Sequence, residues 1–448
     1  MKTSLFALFM LFSFQICTAR EAEEVVVQLQ SQNEVTPVAF PKWIVEEGSL
    51  ESIAELQEAF RFDFENNGRT RPIYGDKTRI SSSWDMWKEV LRWKELGALF
   101  VVQVKISKEG LFARVFNLYA QTVKTLGPLP LEKTSQAQRK QIHMLSDGLF
   151  KSLFQANGIA SSKILYSVKS KDSKEGKWLS DIWEADYDGK NARKVTENAG
   201  FSISPIYIPQ DEEGQENSHF IFVSYKTGQP KLYVGSLKNT QVQRLSLLRG
   251  NQFMPALTYG KHLLAFISDV SGNPDLFVQE FSTKEGLTGQ PRQIYSAGKS
   301  VQATPTFDPT GKKVAFVSNK DGAPRIYVMD VPEAQGSLKK FKPKLVTRYT
   351  RESSAPNWSP DGKKIAYCAL TAGVRQIWVY DLETDEERQL TEGPGAKENP
   401  SWAKDSLHLM YNCHDGRSCD LFLIDLFRKK PVKVTQGPGE KSYPAFST

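Results

Sequence analysis

The chain is poor in the residues that most often carry chemistry. Its 448 residues hold only four cysteines and five histidines. It has no G-x-S-x-G elbow, no H-E-x-x-H, no P-loop glycine pattern and no C-x-x-C pair. Those absences remove the usual sequence signatures of α/β-hydrolases, zinc proteases, nucleotide hydrolases and thiol oxidoreductases. The histidines, His143, His219, His262, His408 and His414, are scattered, and none stands in a Ser, Asp or Glu pattern that recommends a triad. Charge of one sign is lacking too: 58 Lys and Arg against 51 Asp and Glu leave +7. The basic pairs Lys312-Lys313, Lys363-Lys364 and Lys429-Lys430 flank turns and are dispersed, which argues against a nucleic-acid footprint. Beyond the first 19 residues no run is long and apolar enough for a membrane helix.

What is present begins with an address. Lys2, the apolar run Leu5 to Ile16 and the small-residue site Cys17-Thr18-Ala19 read as a signal peptide over 1–19, so the mature chain is expected to be exported and soluble. Removing it lowers the formal charge to +6 and leaves three cysteines.

The last two thirds repeat. Prolines recur at Pro205, Pro255, Pro305, Pro356, Pro400 and Pro444, in steps of 50, 50, 51, 44 and 44 residues. In four units an aromatic follows the proline by eleven residues: Phe266, Phe316, Tyr367 and Tyr411. In the unit of Pro205 the gap to Phe222 is seventeen, because DEEGQENS is inserted in the turn. Eleven residues further on comes a second aromatic in five units: Tyr233, Phe277, Tyr327, Trp378 and Phe422. Alternating apolar and polar residues, with Asp-Gly at the turns, mark antiparallel strands, here entered by a proline. A period of about 40 to 50 residues with several strands per copy is the signature of a β-propeller. The first unit, from Lys163, lacks a proline-aromatic strand, and the chain ends on one, SYPAFST, with no unit after it. Joining the two halves closes a ring of six blades and leaves no exposed sheet edge.

Ahead of the repeats the periodicity changes. Val25 to Gln30 and Val35 to Phe40 read as strands, and Ser49 caps a helix with Leu50, Ile53, Leu56 and Phe60 on one face. Trp84, Trp87, Leu91 and Glu95 mark a second helix, stopped by Gly97. ALFVVQVKI and LFARVFNLYA form a hairpin, and Thr134 opens a third helix with Ile142, Leu145, Leu149 and Leu153 as its stripe. The expected organisation is a signal peptide over 1–19, an α+β domain over 20–158 and a six-bladed propeller over 159–448, closed by the C-terminal strand. Cys413 and Cys419 bracket the turn HDGRS, which suits a cross-hairpin disulfide; a metal site adding His414 is the alternative and lacks a fourth ligand. Cys368 reads as a small buried residue.

The blades PTFDPTGKKVAFVS and PNWSPDGKKIAY, the segment HMLSDGLFKSLFQANGIASSKILYS and the strands WKELGALFVVQVKI and ARVFNLYA together resemble the TolB family, the periplasmic component of the Tol–Pal system of Gram-negative envelopes. The resemblance implies a scaffold with no enzymatic activity and no cofactor, which binds the lipoprotein Pal over the propeller mouth. It further implies that the mature N-terminus, here Arg20, Glu21, Glu23, Glu24 and Val25, is offered to TolA, in support of outer-membrane integrity and cell division. The residues alone also place a binding surface. The loops before the six prolines lie at one rim of the channel, and from them Asn251, Gln252, Ser300, Gln302, Arg351, Glu352, Lys397, Glu398 and Lys441 are expected to meet a partner. An exported hydrolase or lyase, or a metabolite binder, using the central channel is the competing reading.

Overall fold

The computed structural model describes residues 35–46, 53–75, 83–172, 176–197, 199–209, 218–260, 262–333, 342–348, 352–427 and 430–447. The expectations for the signal peptide, the mature N-terminus, the Ser49 cap, the DEEGQEN insertion and Arg351 lie outside the described residues.

The N-terminal region is a sheet with helices on both faces. Its strands are β1 (Thr36–Phe40), β2 (Ile44–Val45), β3 (Thr70–Tyr74), β4 (Phe100–Ser107), β5 (Gly110–Asn117) and β6 (Thr122–Leu129), in the order β3-β1-β4-β5-β6 with β2 beside β4. β1 runs parallel to β3 and β4, whereas β4, β5 and β6 form an antiparallel meander. Helices α1 (Ile53–Glu65) and α3 (Ser135–Phe154) cover one face. Phe60 and Phe64 of α1 and Ile142, Leu145 and Leu149 of α3 are buried there against Val38, Val102 and Val104. Thr134 caps α3 as expected, its hydroxyl accepting from the Ala137 amide at 3.2 Å. The second helix is shorter than the spacing predicts: a 3-10 turn over Met86–Glu89 leads into α2 (Val90–Glu95). It buries Trp93 and leaves Leu91 76% exposed, because the irregular first turn rotates the apolar face away from Leu91.

The rest is six four-stranded antiparallel sheets. Blade 2 spans Ser202–Arg244, blade 3 Gln252–Tyr295, blade 4 Gln302–Leu345, blade 5 Ser353–Gln389 and blade 6 Ala396–Lys433. Blade 1 is built from both ends of the region: Glu440–Phe446 innermost, then Lys163–Lys171, Trp178–Asp186 and Arg193–Lys194. Ser442 faces Ser167, Phe446 faces Ile164, and the Ser447 amide donates to the Lys163 carbonyl at 2.9 Å. The C-terminal strand therefore closes the ring. Apolar clusters fill every seam between neighbouring blades, the one between blades 6 and 1 included.

The eleven-residue spacing now has a geometric meaning. It puts each pair of aromatics directly opposite across the second and third strands: Phe222 and Tyr233, Phe266 and Phe277, Phe316 and Tyr327, Tyr367 and Trp378, Tyr411 and Phe422. Rings so placed lie about one strand spacing apart, 5.9 Å for Phe266 and Phe277 and 6.0 Å for Tyr411 and Phe422, both stacked. Blade 1 has the sixth pair, Tyr166 and Trp183, set further apart in sequence by its longer turn.

The prolines do not enter their strands; they sit in the middle of them. Each innermost strand shifts register there, and the residue before each proline is left-handed: Ser204, Met254, Thr304, Ala355, Asn399 and Tyr443, with φ between 39° and 54°. A bulge leaves one amide outside the ladder, and proline has none to lose, so it is the residue best suited to that place.

Candidate functional site

In a four-stranded blade the loop entering the innermost strand and the turn between the second and third strands share one end of the propeller. Hydrogen bonds tie them together. The Asn251 amide and side chain donate to Asp269 at 2.7 and 2.6 Å, and the Val301 amide to Asn319 at 2.7 Å. The Leu370 amide donates to the Glu352 carbonyl at 3.1 Å. The opposite end carries the N-terminal region, which meets the Asp186–Lys190 turn of blade 1 and the Ala403–Leu407 turn of blade 6. The first rim is thus the one that the described part of the N-terminal region leaves uncovered.

The expected rim residues divide in two. Asn251, Ser300, Glu352 and Glu398 are partly exposed, and Glu398 meets Arg375 at 3.2 Å. Gln252, Gln302, Lys397 and Lys441 are not surface groups, and the expectation of partner contact through their side chains is corrected. They stand three residues before a proline, where alternation turns the side chain inward. There they hold the loop coming from the preceding blade. Gln252 donates to the Leu248 carbonyl at 2.9 Å and accepts from the Leu232 amide. Gln302 reaches Asp275 at 3.3 Å. Lys397 donates to the carbonyls of Gly393 and Pro394 at 2.8 and 2.7 Å, and Lys441 bonds the Gly437 carbonyl and lies 3.1 Å from Asp420. Burial lowers the Lys397 pKa, which its two carbonyl acceptors accommodate without an ion pair.

The same rim carries apolar groups that sequence reasoning passed over. Leu247 (86% exposed), Trp178 (52%), Leu179, Val270, Val301 and Leu370 all lie on its loops or at the strand ends beside them. Leu247, Val270 and Val301 lie in loops, and Trp178, Leu179 and Leu370 lie near strand ends. The available signal was their place beside turn segments, where burial is not expected. Apolar groups set among polar loops are the composition of a protein-binding surface.

The two cysteines are unbridged. Cys413 faces Asp420 and His414 faces Cys419 across the hairpin, so the two thiols point to opposite faces of blade 6. The expected disulfide fails on parity: one residue of register separates them. Cys419 Sγ contacts the Lys441 carbonyl, and burial pushes its thiol up to about 12.

Among the described residues His143, Asp186 and Asp188 converge, with their nearest polar atoms within 4.8 Å of one another. Arg139 and Lys163 already occupy those carboxylates. Neither His143 Nε2 nor His408 Nε2 has a serine or cysteine bonded to it, and both rings are sealed from solvent. They are groups of an interior joint.

The model of the TolB β-propeller domain matches residues 150–342 and 339–448. A curated relative from Protochlamydia amoebophila, named a TolB homologue, is 42% identical over 85% of this chain and 82% of its own. Another TolB homologue, from Chlamydia caviae, is 43% identical over 60% of this chain and 61% of its own. Among solved structures, TolB from Acinetobacter baumannii superposes with a TM-score of 0.75 over 92% of this chain and 97% of that one, at 20% identity, which bears on the fold. With the family model matched from residue 150 to the C-terminus, and a 42% identical relative aligned over most of both chains, this chain belongs to the TolB β-propeller family.

Proposed function

We propose that the chain is a non-enzymatic scaffold of the Tol–Pal system, exported to the periplasm on the signal peptide 1–19. It binds Pal at the uncovered rim and TolA through Arg20 to Val25, and so supports outer-membrane integrity and cell division. The mature chain works as two domains, 20–158 and 159–448. The observation that carries this reading is the rim: Trp178, Leu247, Val301 and Leu370 hold apolar surface in water at one end of a closed ring. A monomer gains nothing from that arrangement, and a partner covering it gains about 25 cal/mol per Å² of apolar surface.

The test is Pal affinity of the triple variant Leu247→Ser, Val301→Ser, Leu370→Ser. These side chains are exposed, so the fold is retained while affinity falls by about tenfold or more. Unchanged affinity would move the site elsewhere. Removing residues 20–25 is expected to abolish TolA binding and leave the rim intact.

A further inference from the structure

Two of the five histidines, His143 and His408, lie where the N-terminal region meets the propeller, 2% and 1% exposed. They are built alike. His143, on α3, sets Nδ1 2.9 and 3.0 Å from the two Asp63 oxygens of α1, and Tyr187 Oη of blade 1 donates to the same carboxylate at 2.7 Å. Its other nitrogen, Nε2, makes no hydrogen bond and stands 3.8 Å from Asp188 Oδ2, across the joint. His408, in blade 6, sets Nδ1 2.6 Å from Asp405 of its own turn. Its Nε2 also lacks a bond of ordinary geometry and faces the end of α1, where the Asn66 carbonyl favours the protonated ring. Gly68 follows so closely that a Cβ there would stand 3.4 Å from the same imidazole.

A neutral ring with its proton on Nδ1, toward the aspartate, turns a bare lone pair at an acceptor on the other side of the joint. Adding a proton replaces that repulsion with a donor. The charges agree. Around His143 the carboxylates are Asp63, Asp186 and Asp188, and the cations are Arg139 from α3 and Lys163 from blade 1. Asp147, which faces Tyr187, adds a fourth carboxylate, so the negative groups outnumber the positive ones and a protonated ring brings the cluster nearer to neutrality. Burial raises the Asp63 pKa, which its contacts with His143 and Tyr187 oppose. Around His408 stand Asp405 and, on the neighbouring strand, Asp425. We propose that this joint is a proton-operated clasp, in which protonating His143 and His408 gives each Nε2 a donor across it, to Asp188 and to the Asn66 carbonyl.

Burial opposes the charge on both rings, and the attraction of Asp63, Asp188 and Asp186 for His143, and of Asp405 for His408, outweighs it and raises both pKa values. A histidine raised in the folded state gives stability that is fully present below its unfolded value of 6.5. That stability fades as pH climbs through the folded value, so the clasp is closed in mild acid and slackens toward alkaline pH. This goes beyond the partner reading above and depends on neither Pal nor TolA.

The experiment is amide exchange on the full mature chain, corrected for intrinsic rates, at about pH 5.5 and about pH 8.5. Protection at Asn66 to Thr70 and at Tyr187 to Lys190 is expected to drop about tenfold or more between them, and to stay level in the double variant His143→Gln, His408→Gln. Level protection in the wild type, or an undiminished drop in the double variant, overturns the proposal. If that variant does not fold, ring titration of the wild type by NMR decides. Both rings charged at about pH 6.5 supports the clasp, and both neutral there overturns it.

Discussion

At Gly68 the backbone is left-handed, with φ of 71°, and an added Cβ would stand 2.8 Å from Leu407 Cδ2. Alanine there must adopt a conformation that costs it about 1–2 kcal/mol and must also push back the side chain it meets in blade 6. Gly68→Ala is expected to lower the denaturant midpoint of unfolding accordingly; an unchanged midpoint would show that this loop shifts freely. The joint that Gly68 serves was not legible in the sequence. Asp63, His143 and Tyr187 lie 80 and 124 residues apart along the chain in their hydrogen-bonded pairs. No local period brings such groups together. His143 lay in the third helix, outside its apolar stripe, with nothing to mark which side of that helix would meet a propeller blade.

At the scale of the strand, pattern reached further. Eleven residues between aromatics is the path down one strand, through a turn and back to the facing position, so a count along the sequence predicts a contact in space. The hairpin of β4 and β5 was legible for the same reason, from two long apolar runs across a glycine turn. β3 and β6 were not. β3 contains Pro72, and β6 is an exposed edge strand with little apolar alternation to read. Parity, by contrast, was available and went unused: placing Cys413 opposite Asp420 separates the thiols of Cys413 and Cys419 onto two faces. Alkylation without reductant, followed by mass spectrometry, is expected to find Cys368, Cys413 and Cys419 all modified once the protein is unfolded. In the native state Cys413 should react first, since Cys368 and Cys419 are buried. A peptide joining Cys413 to Cys419 would contradict the register.

For the molecule as a whole, the decisive inference from sequence was that two half-units at opposite ends of the repeats complete each other. The pairing of Glu440–Phe446 with Lys163–Lys171 is that completion. Removing Ser442 to Thr448 takes away most of the inner strand of blade 1 and with it Phe446, buried in the seam with blade 6, whose loss alone costs about 3 kcal/mol. The melting temperature is expected to fall sharply. A seven-residue cut within Asp211 to Asn217 is expected to leave it nearly unchanged. Equal effects from the two cuts would mean that the tail does not seal the ring.

That seal comes from residues at the far C-terminal end of the chain. A polypeptide leaves the ribosome from its N-terminus onward. Blade 1 therefore waits with a vacant inner berth while the other five are made, and Glu440–Phe446 is the strand that fills it. Until that strand is made there is no finished circle, so the ring cannot close on a partly synthesised propeller.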